Sequence, residues 1–225
     1  MLIAGAAVLG VVAGACAGYV IQADREPTPP PPLSQPVLAQ AKGEGPEPLS
    51  AAQDRRVKTE GDLRKLLLRK PAGAREADWT GDGWLDIAEY AGNFTDPAEK
   101  FSDLVGDEFR RAAVVGWKVG STYSVEIRLV QFRQEDSLAA LDSSLSHQDW
   151  AEEESGTDSW DIPGTGNGMA YVHTRPNTEP GYLPQYAAEA HAWRGDISME
   201  IWIYGTKQIA KKTIMDLAER QMERL

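Results

Sequence analysis

Apolar and polar positions change rhythm several times along this chain, and each change marks a boundary. Leu2 through Ile21 is apolar and carries no charge. About 20 such residues in a helix match a bilayer core about 30 Å thick. The pattern predicts one N-terminal transmembrane helix, a signal-anchor over residues 1–22. From 23 to 50 the chain turns to Pro, Gln, Glu, Gly and Ala, with Pro29-Pro30-Pro31-Pro32 unbroken. That composition cannot bury enough apolar surface to order itself, so a disordered Pro-rich linker is expected there.

Residues 51–225 have the length of one domain and alternate between the two periodicities. Asp62 to Lys70 reads as a short helix ended by Pro71. Asp96-Pro97-Ala98-Glu99 has the chemistry of a helix start: Asp96 as cap, Pro97 in the first turn and Glu99 closing a capping box. Phe101, Leu104, Val105, Phe109 and Ala112 then share one helical face, which Gly116 is expected to stop. Tyr123, Val125, Ile127 and Leu129 alternate with polar residues, predicting a strand that runs on to Phe132. Leu138, Leu141 and Leu145 predict a helix from Gln134 to about Trp150, with a polar loop from Glu152.

Met169 to Thr174 reads as a short strand. Ala187 to Trp193 and Ile197 to Tyr204 form a hairpin around Arg194-Gly195-Asp196, a composition that a tight turn favours. Lys207 to Arg224 is a terminal helix that turns Ile214, Leu217, Ala218 and Met222 inward. The sum is an α+β domain, an antiparallel sheet with helices on one face.

Charge narrows the partners. A formal net charge of −11 argues against nucleic acid and anionic lipid surfaces, and permits cations and basic ligands. Arg25 lies between Asp24 and Glu26, so the residues flanking the apolar run give no charge asymmetry. The Pro-rich spacer favours a domain outside the cell, on a single-pass cell-membrane protein, with cytoplasmic placement as the alternative. The lipid bilayer is then a partner through residues 2–21, beside an envelope protein or small ligand. Cys16 is the only cysteine, which rules out an intramolecular disulfide. Following Ala13-Gly14-Ala15, it is a candidate for lipidation, or else a small apolar residue of the span.

The sharpest chemical pattern is Asp78-Trp79-Thr80-Gly81-Asp82-Gly83-Trp84-Leu85-Asp86-Ile87-Ala88-Glu89, which resembles an EF-hand calcium loop. Asp78, Asp82, Asp86 and Glu89 stand at the spacing that wraps one hard cation in oxygens, and Gly83 sits at the sharp turn. Thr80 replaces the usual carboxylate or amide at position 3, and Pro71 removes most of the entering helix. The same spacing arises as a turn whose Asp caps the next helix.

Gly164-Thr165-Gly166-Asn167-Gly168 lacks the lysine and the following helix that a phosphate loop needs. His147, His173 and His191 are the only imidazoles, and none stands in a metal-ligand or nucleophile motif. Glu126, Asp161 and Glu200 are candidate acid–base groups that no spacing brings together. Trp193, Trp202 and Tyr204 on the hairpin are the candidate partner-binding surface.

Gly83-Trp84-Leu85-Asp86-Ile87-Ala88-Glu89-Tyr90, Phe109-Arg110-Arg111-Ala112-Ala113, Glu126 through Phe132 and Leu217 through Leu225 together resemble uncharacterised membrane-anchored proteins of actinobacteria. The strand and helix order is similar to exported α+β domains of the Mog1/PsbP type. That resemblance implies a binding or assembly module. The expectation is therefore a membrane-tethered, non-enzymatic extracytoplasmic binding module, with a calcium-binding or calcium-stabilised domain as the alternative.

Overall fold

The computed structural model describes residues 2–23, 25, 61–135 and 137–225. The chain divides into two units, Met1–Pro46 and Glu47–Leu225. In the first, α1 (Leu2–Ala23) is one continuous helix, and Cys16 on it is exposed. Among the described residues no helix is long and apolar enough to cross a membrane. The linker expected over 23–50 lies almost wholly outside the described residues.

The second unit is built on one antiparallel sheet. In chain order its elements are β1 (Arg75–Glu76), β2 (Trp84–Leu85), α2 (Ile87–Ala91), α3 (Pro97–Gly106), β3 (Phe109–Val119), β4 (Tyr123–Phe132), α4 (Ala139–Glu153), β5 (Thr157–Asp161), β6 (Met169–His173), β7 (Tyr186–Arg194), β8 (Ile197–Gly205) and α5 (Lys211–Met222). The strands lie in the order β1-β3-β4-β8-β7-β6-β5, and β2 shares the outer edge of β3 with β1. The β7–β8 hairpin turns at Gly195, whose φ of 61° suits a residue without Cβ.

Register decides what each face holds. Ile127, Ile201 and Ala190 are paired across β4, β8 and β7, and their side chains share one face with Val125, Leu129, Met199 and Ile203. Ile214, Ala218 and Met222 of α5 close this face, together with Leu63, Leu67 and Leu68. One residue along, Arg128, Glu200 and His191 are paired and point the opposite way. Here a smaller apolar cluster gathers Tyr90, Leu104, Phe132, Ala140 and Trp193, bringing α2, α3 and α4 onto the sheet. Helices thus cover both faces, which corrects the one-face expectation. Alternation marked Glu126, Arg128, Glu200 and Trp202 as the outward side of their strands, but mutual pairing lets that side be covered.

The sheet overrode helical spacing at one point. The helix started by Asp96, whose carboxylate accepts from the Ala98 and Glu99 amides, ends at Gly106 rather than near Gly116. Glu108 takes φ 59°, and the chain turns into β3, where small and β-branched residues pair with β4 along nearly its whole length. Gly116 stops no helix. A Cβ there would lie 2.9 Å from Thr80 Cγ2, so the bare glycine lets the chain around Thr80 settle against β3. The Asp62–Lys70 helix is only a 3₁₀ turn, Leu63–Leu66, capped by Asp62. Helix α4 begins at Ala139, after Gln134 at φ 55°. Strand β5 lies where a polar loop was expected, an edge strand with its acidic residues toward solvent.

Candidate functional site

The second face buries an acid and histidine layer beneath α4. His147 reaches it from α4, His191 and Glu189 from β7, His173 from β6, and Glu200 and Trp202 from β8. All three histidines of the chain therefore meet in one layer, and Glu200 and His191 are 0% exposed. The His147 and His191 rings stack at 5.0 Å between centroids, and Trp202 sets an edge against each.

Two linked networks organise the layer. In the first, the Tyr90 hydroxyl of α2 donates to Glu200 Oε1 at 2.5 Å. His147 Nε2 lies 3.8 Å from the same oxygen and Arg128 Nη1 lies 3.8 Å from Oε2. Arg128 is held in turn by Glu126 at 2.5 Å and by Asn93 Oδ1 at 2.9 Å. Burial pushes Glu200 up, but attraction from His147 and Arg128 and the Tyr90 hydrogen bond leave its carboxyl below the usual range. Burial and the Glu200 charge hold the Tyr90 phenol far above its ordinary value. Glu200 is thus a buried carboxylate with a tyrosine donor, and Tyr90 stays protonated.

In the second network Glu189 accepts from two rings, His173 Nε2 at 2.6 Å and His191 Nε2 at 2.7 Å. Burial opposes its charge, yet those hydrogen bonds pull its carboxyl down to about 2. The two histidines diverge. Burial lowers His191, outweighing its Glu189 bond, so it serves as a neutral ring donating from Nε2. Burial also acts against His173, but Glu189 on one side and Glu154 on the other raise it.

Glu154, His173 and Glu189 could hold a metal ion, since one ligand atom from each lies within 4.8 Å of the others. Their present arrangement is that of an imidazolium between carboxylates. Nδ1 faces Glu154 at 2.9 Å and Nε2 faces Glu189 at 2.6 Å, so the carboxylates sit on opposite sides of the ring, and a metal would take only one nitrogen.

The loop residues singled out as calcium ligands fall elsewhere. Asp86 caps α2 and Glu89 completes its capping box, with Glu89 Oε2 accepting from the Asp86 amide at 3.0 Å. Asp82 Oδ1 accepts from the Trp84 amide at 3.1 Å, and Asp78 opens a short 3₁₀ turn. In this geometry Asp82, Asp86 and Glu89 bond their own backbone. Trp193 is buried, with Nε1 donating to Asn167 Oδ1 at 2.8 Å, and Trp202 is half-buried. Tyr204 is 38% exposed. The hairpin therefore presents no continuous aromatic surface, because α4 and the 164–168 loop cover part of it. Asp196 is buried and accepts from Gln131 at 2.7 Å, which withdraws the Arg194-Gly195-Asp196 turn from recognition.

Glu126 and Glu200 do come together, around Arg128, while Asp161 stands apart on the edge strand β5. The histidine convergence had no sequence signature, since residues 147, 173 and 191 lie on three elements. Only the period-2 register of β7 and β8 hinted that Glu189, His191, Glu200 and Trp202 share a face.

Open concavities lie beside the 3₁₀ turn. One, of about 840 Å³, runs between the Leu63–Leu66 turn and the edge of β3 at Val114–Gly116, between the points where β1 and β2 pair with it. A second, of about 410 Å³, lies between the segment after the turn and α5. This domain is an α+β single-sheet fold with a largely buried polar layer on one face and open basic clefts elsewhere. No family model matches the sequence, and no curated protein matches it either.

Proposed function

We propose that this chain is a membrane-tethered, non-enzymatic extracytoplasmic binding module, anchored by residues 2–21 and binding through the clefts beside the 3₁₀ turn. One observation carries the reading. The layer where the three histidines meet acidic and aromatic groups is closed to solvent at Glu200 and His191, which suits a scaffold, while two open concavities adjoin at Leu68 and Arg69. Ligand sites are concave and few in a domain. The uncharged run of α1 supports the tether, and the Pro-rich composition of 23–50 supports a spacer. The strand and helix order similar to Mog1/PsbP-type domains accords with a binding or assembly role.

The test is made in cells producing the full chain. Carbonate-resistant membrane association that deletion of residues 2–22 abolishes, with protease reaching the domain in intact cells, is the expected outcome. A photo-crosslinking residue at Lys70 should give an adduct that one at Lys100 does not. A chain released by carbonate, or protected from protease in intact cells, overturns the tethered extracytoplasmic reading.

A further inference from the structure

The net charge conceals a segregation. Residues 76–206 hold 24 acidic against eight basic side chains, whereas 61–75 hold five basic and one acidic, and 207–225 five basic and three acidic. These two basic segments are far apart in sequence but lie together. Gln221 Nε2 and Arg224 Nε both donate to the Leu66 carbonyl, at 2.9 and 2.8 Å, and the Leu68 amide donates back to Gln221 Oε1 at 2.9 Å. This docking brings Lys65, Arg69 and Lys70 of the first segment and Lys212 and Arg220 of the second to two adjoining concavities, while Lys211 lies apart over Trp160.

Lys65, Arg69 and Lys70 line the larger cleft, and Arg69, Lys212 and Arg220 line the smaller, so Arg69 belongs to both. Arg64 is already paired with Asp62 at 2.9 Å, and Arg224 is spent on backbone carbonyls. The side chains of the other five are exposed and make no hydrogen bond or ion pair among the described residues. The acidic groups lining the clefts besides Asp62 are Glu76 and Asp82 in the larger and Asp216 in the smaller, leaving each cleft with a basic excess.

Resting on the binding-module reading, we propose that the two clefts form one continuous site for a linear polyphosphate-type anion that crosses Arg69 and carries negative charge in both. Several cations approaching from separate elements suit tetrahedral groups that offer oxygens in several directions. A carboxylate is better served by a single guanidinium fork, and the one preformed fork, on Arg64, is occupied. A lipid surface is flat, whereas these cations line two adjoining concavities that share Leu68 and Arg69. A nucleic acid would also want stacking platforms, but Trp84 carries the Arg64 guanidinium 4.9 Å over its ring and Trp117 is buried.

The experiment titrates the full chain, in uncharged detergent, with inorganic polyphosphate, with orthophosphate, with a single-stranded oligonucleotide and with phosphatidylglycerol vesicles. Saturable polyphosphate binding is expected, tighter than orthophosphate, falling as salt rises and weakened about tenfold or more by R69Q combined with K70Q. K100Q, on α3, should leave it unchanged. These substitutions are of exposed side chains, and unchanged thermal unfolding verifies the fold. Absence of saturable polyphosphate binding, equal affinity in the double variant, or a preference for the vesicles or the oligonucleotide overturns the proposal. If polyphosphate fails while the Lys70 crosslinker still gives its adduct in cells, the ligand class falls and the binding module stands.

Discussion

The Tyr90 hydroxyl donates to Glu200 Oε1 across 2.5 Å, joining a five-residue helix to the middle of strand β8 at a point that is 0% exposed on both sides. So short a helix does not hold itself by backbone bonds alone. The Tyr90 contact and the capping box fix it to the sheet. Removing one partner of a buried charged network leaves the other uncompensated, so Glu200→Gln is expected to lower stability by about 3 kcal/mol. Tyr90→Phe should cost on the order of 2 kcal/mol, as for a lost hydrogen bond to a charged group. Urea unfolding of both and of the double variant checks this. Additive losses would show that the two residues act independently.

The second network makes stability depend on pH in both directions. His173 is raised in the fold, so its contribution is full below the ordinary histidine value of about 6.5 and is lost as pH rises through the higher folded value. Glu189, drawn down to about 2, contributes above the usual carboxylate range and loses that contribution as pH falls toward about 2. Glu200, also lowered, acts in the same sense. His191 favours its neutral form, so stability declines as pH falls below about 6.5. Thermal unfolding from acid to alkaline pH should show a maximum between these limbs. His173→Gln should flatten the alkaline limb and, by removing one of the bonds that lower Glu189, also weaken the acid limb; an unchanged alkaline limb would contradict the imidazolium assignment.

Trp193 separates a packed ring from a recognition surface. Buried among the cluster of Tyr90, Phe132 and Ala140, it should cost about 3 to 5 kcal/mol of stability when replaced by alanine. Tyr204→Ala, at a more exposed position, should cost less. Near-equal small losses in chemical unfolding would mean that the hairpin rings lie open after all.

The Asp86 cap gives the calcium-like loop a quantitative test. Asp86→Ala removes the acceptor of the Glu89 amide and should lower stability by about 1 kcal/mol, equally with chelator and with millimolar calcium. A calcium-dependent rise in melting temperature that Asp82→Ala or Glu89→Ala abolishes would instead make the loop a metal site.

Features that rest on local chemistry were legible along the chain. Strand β4 and the β7–β8 hairpin followed from period-2 alternation and the start of α3 from Asp96-Pro97, because neighbouring residues set these signals, whereas the spacing of Asp86 and Glu89 fitted both a cation loop and the capped turn that the structure holds. Long-range pairing and packing set the remainder. Phe109 to Gly116 fits a helical face equally well, and only the long pairing with β4 makes it a strand. Glu200 and Trp202 read as the solvent side of their strand, and only α4, arriving from a distant segment, encloses them. The three histidines and the two basic segments became neighbours through register and helix docking, across more than a hundred residues in the second case. Contacts of that range leave no period or spacing in a single chain, so the acid–histidine layer and the basic clefts emerge only once the sheet has brought them together.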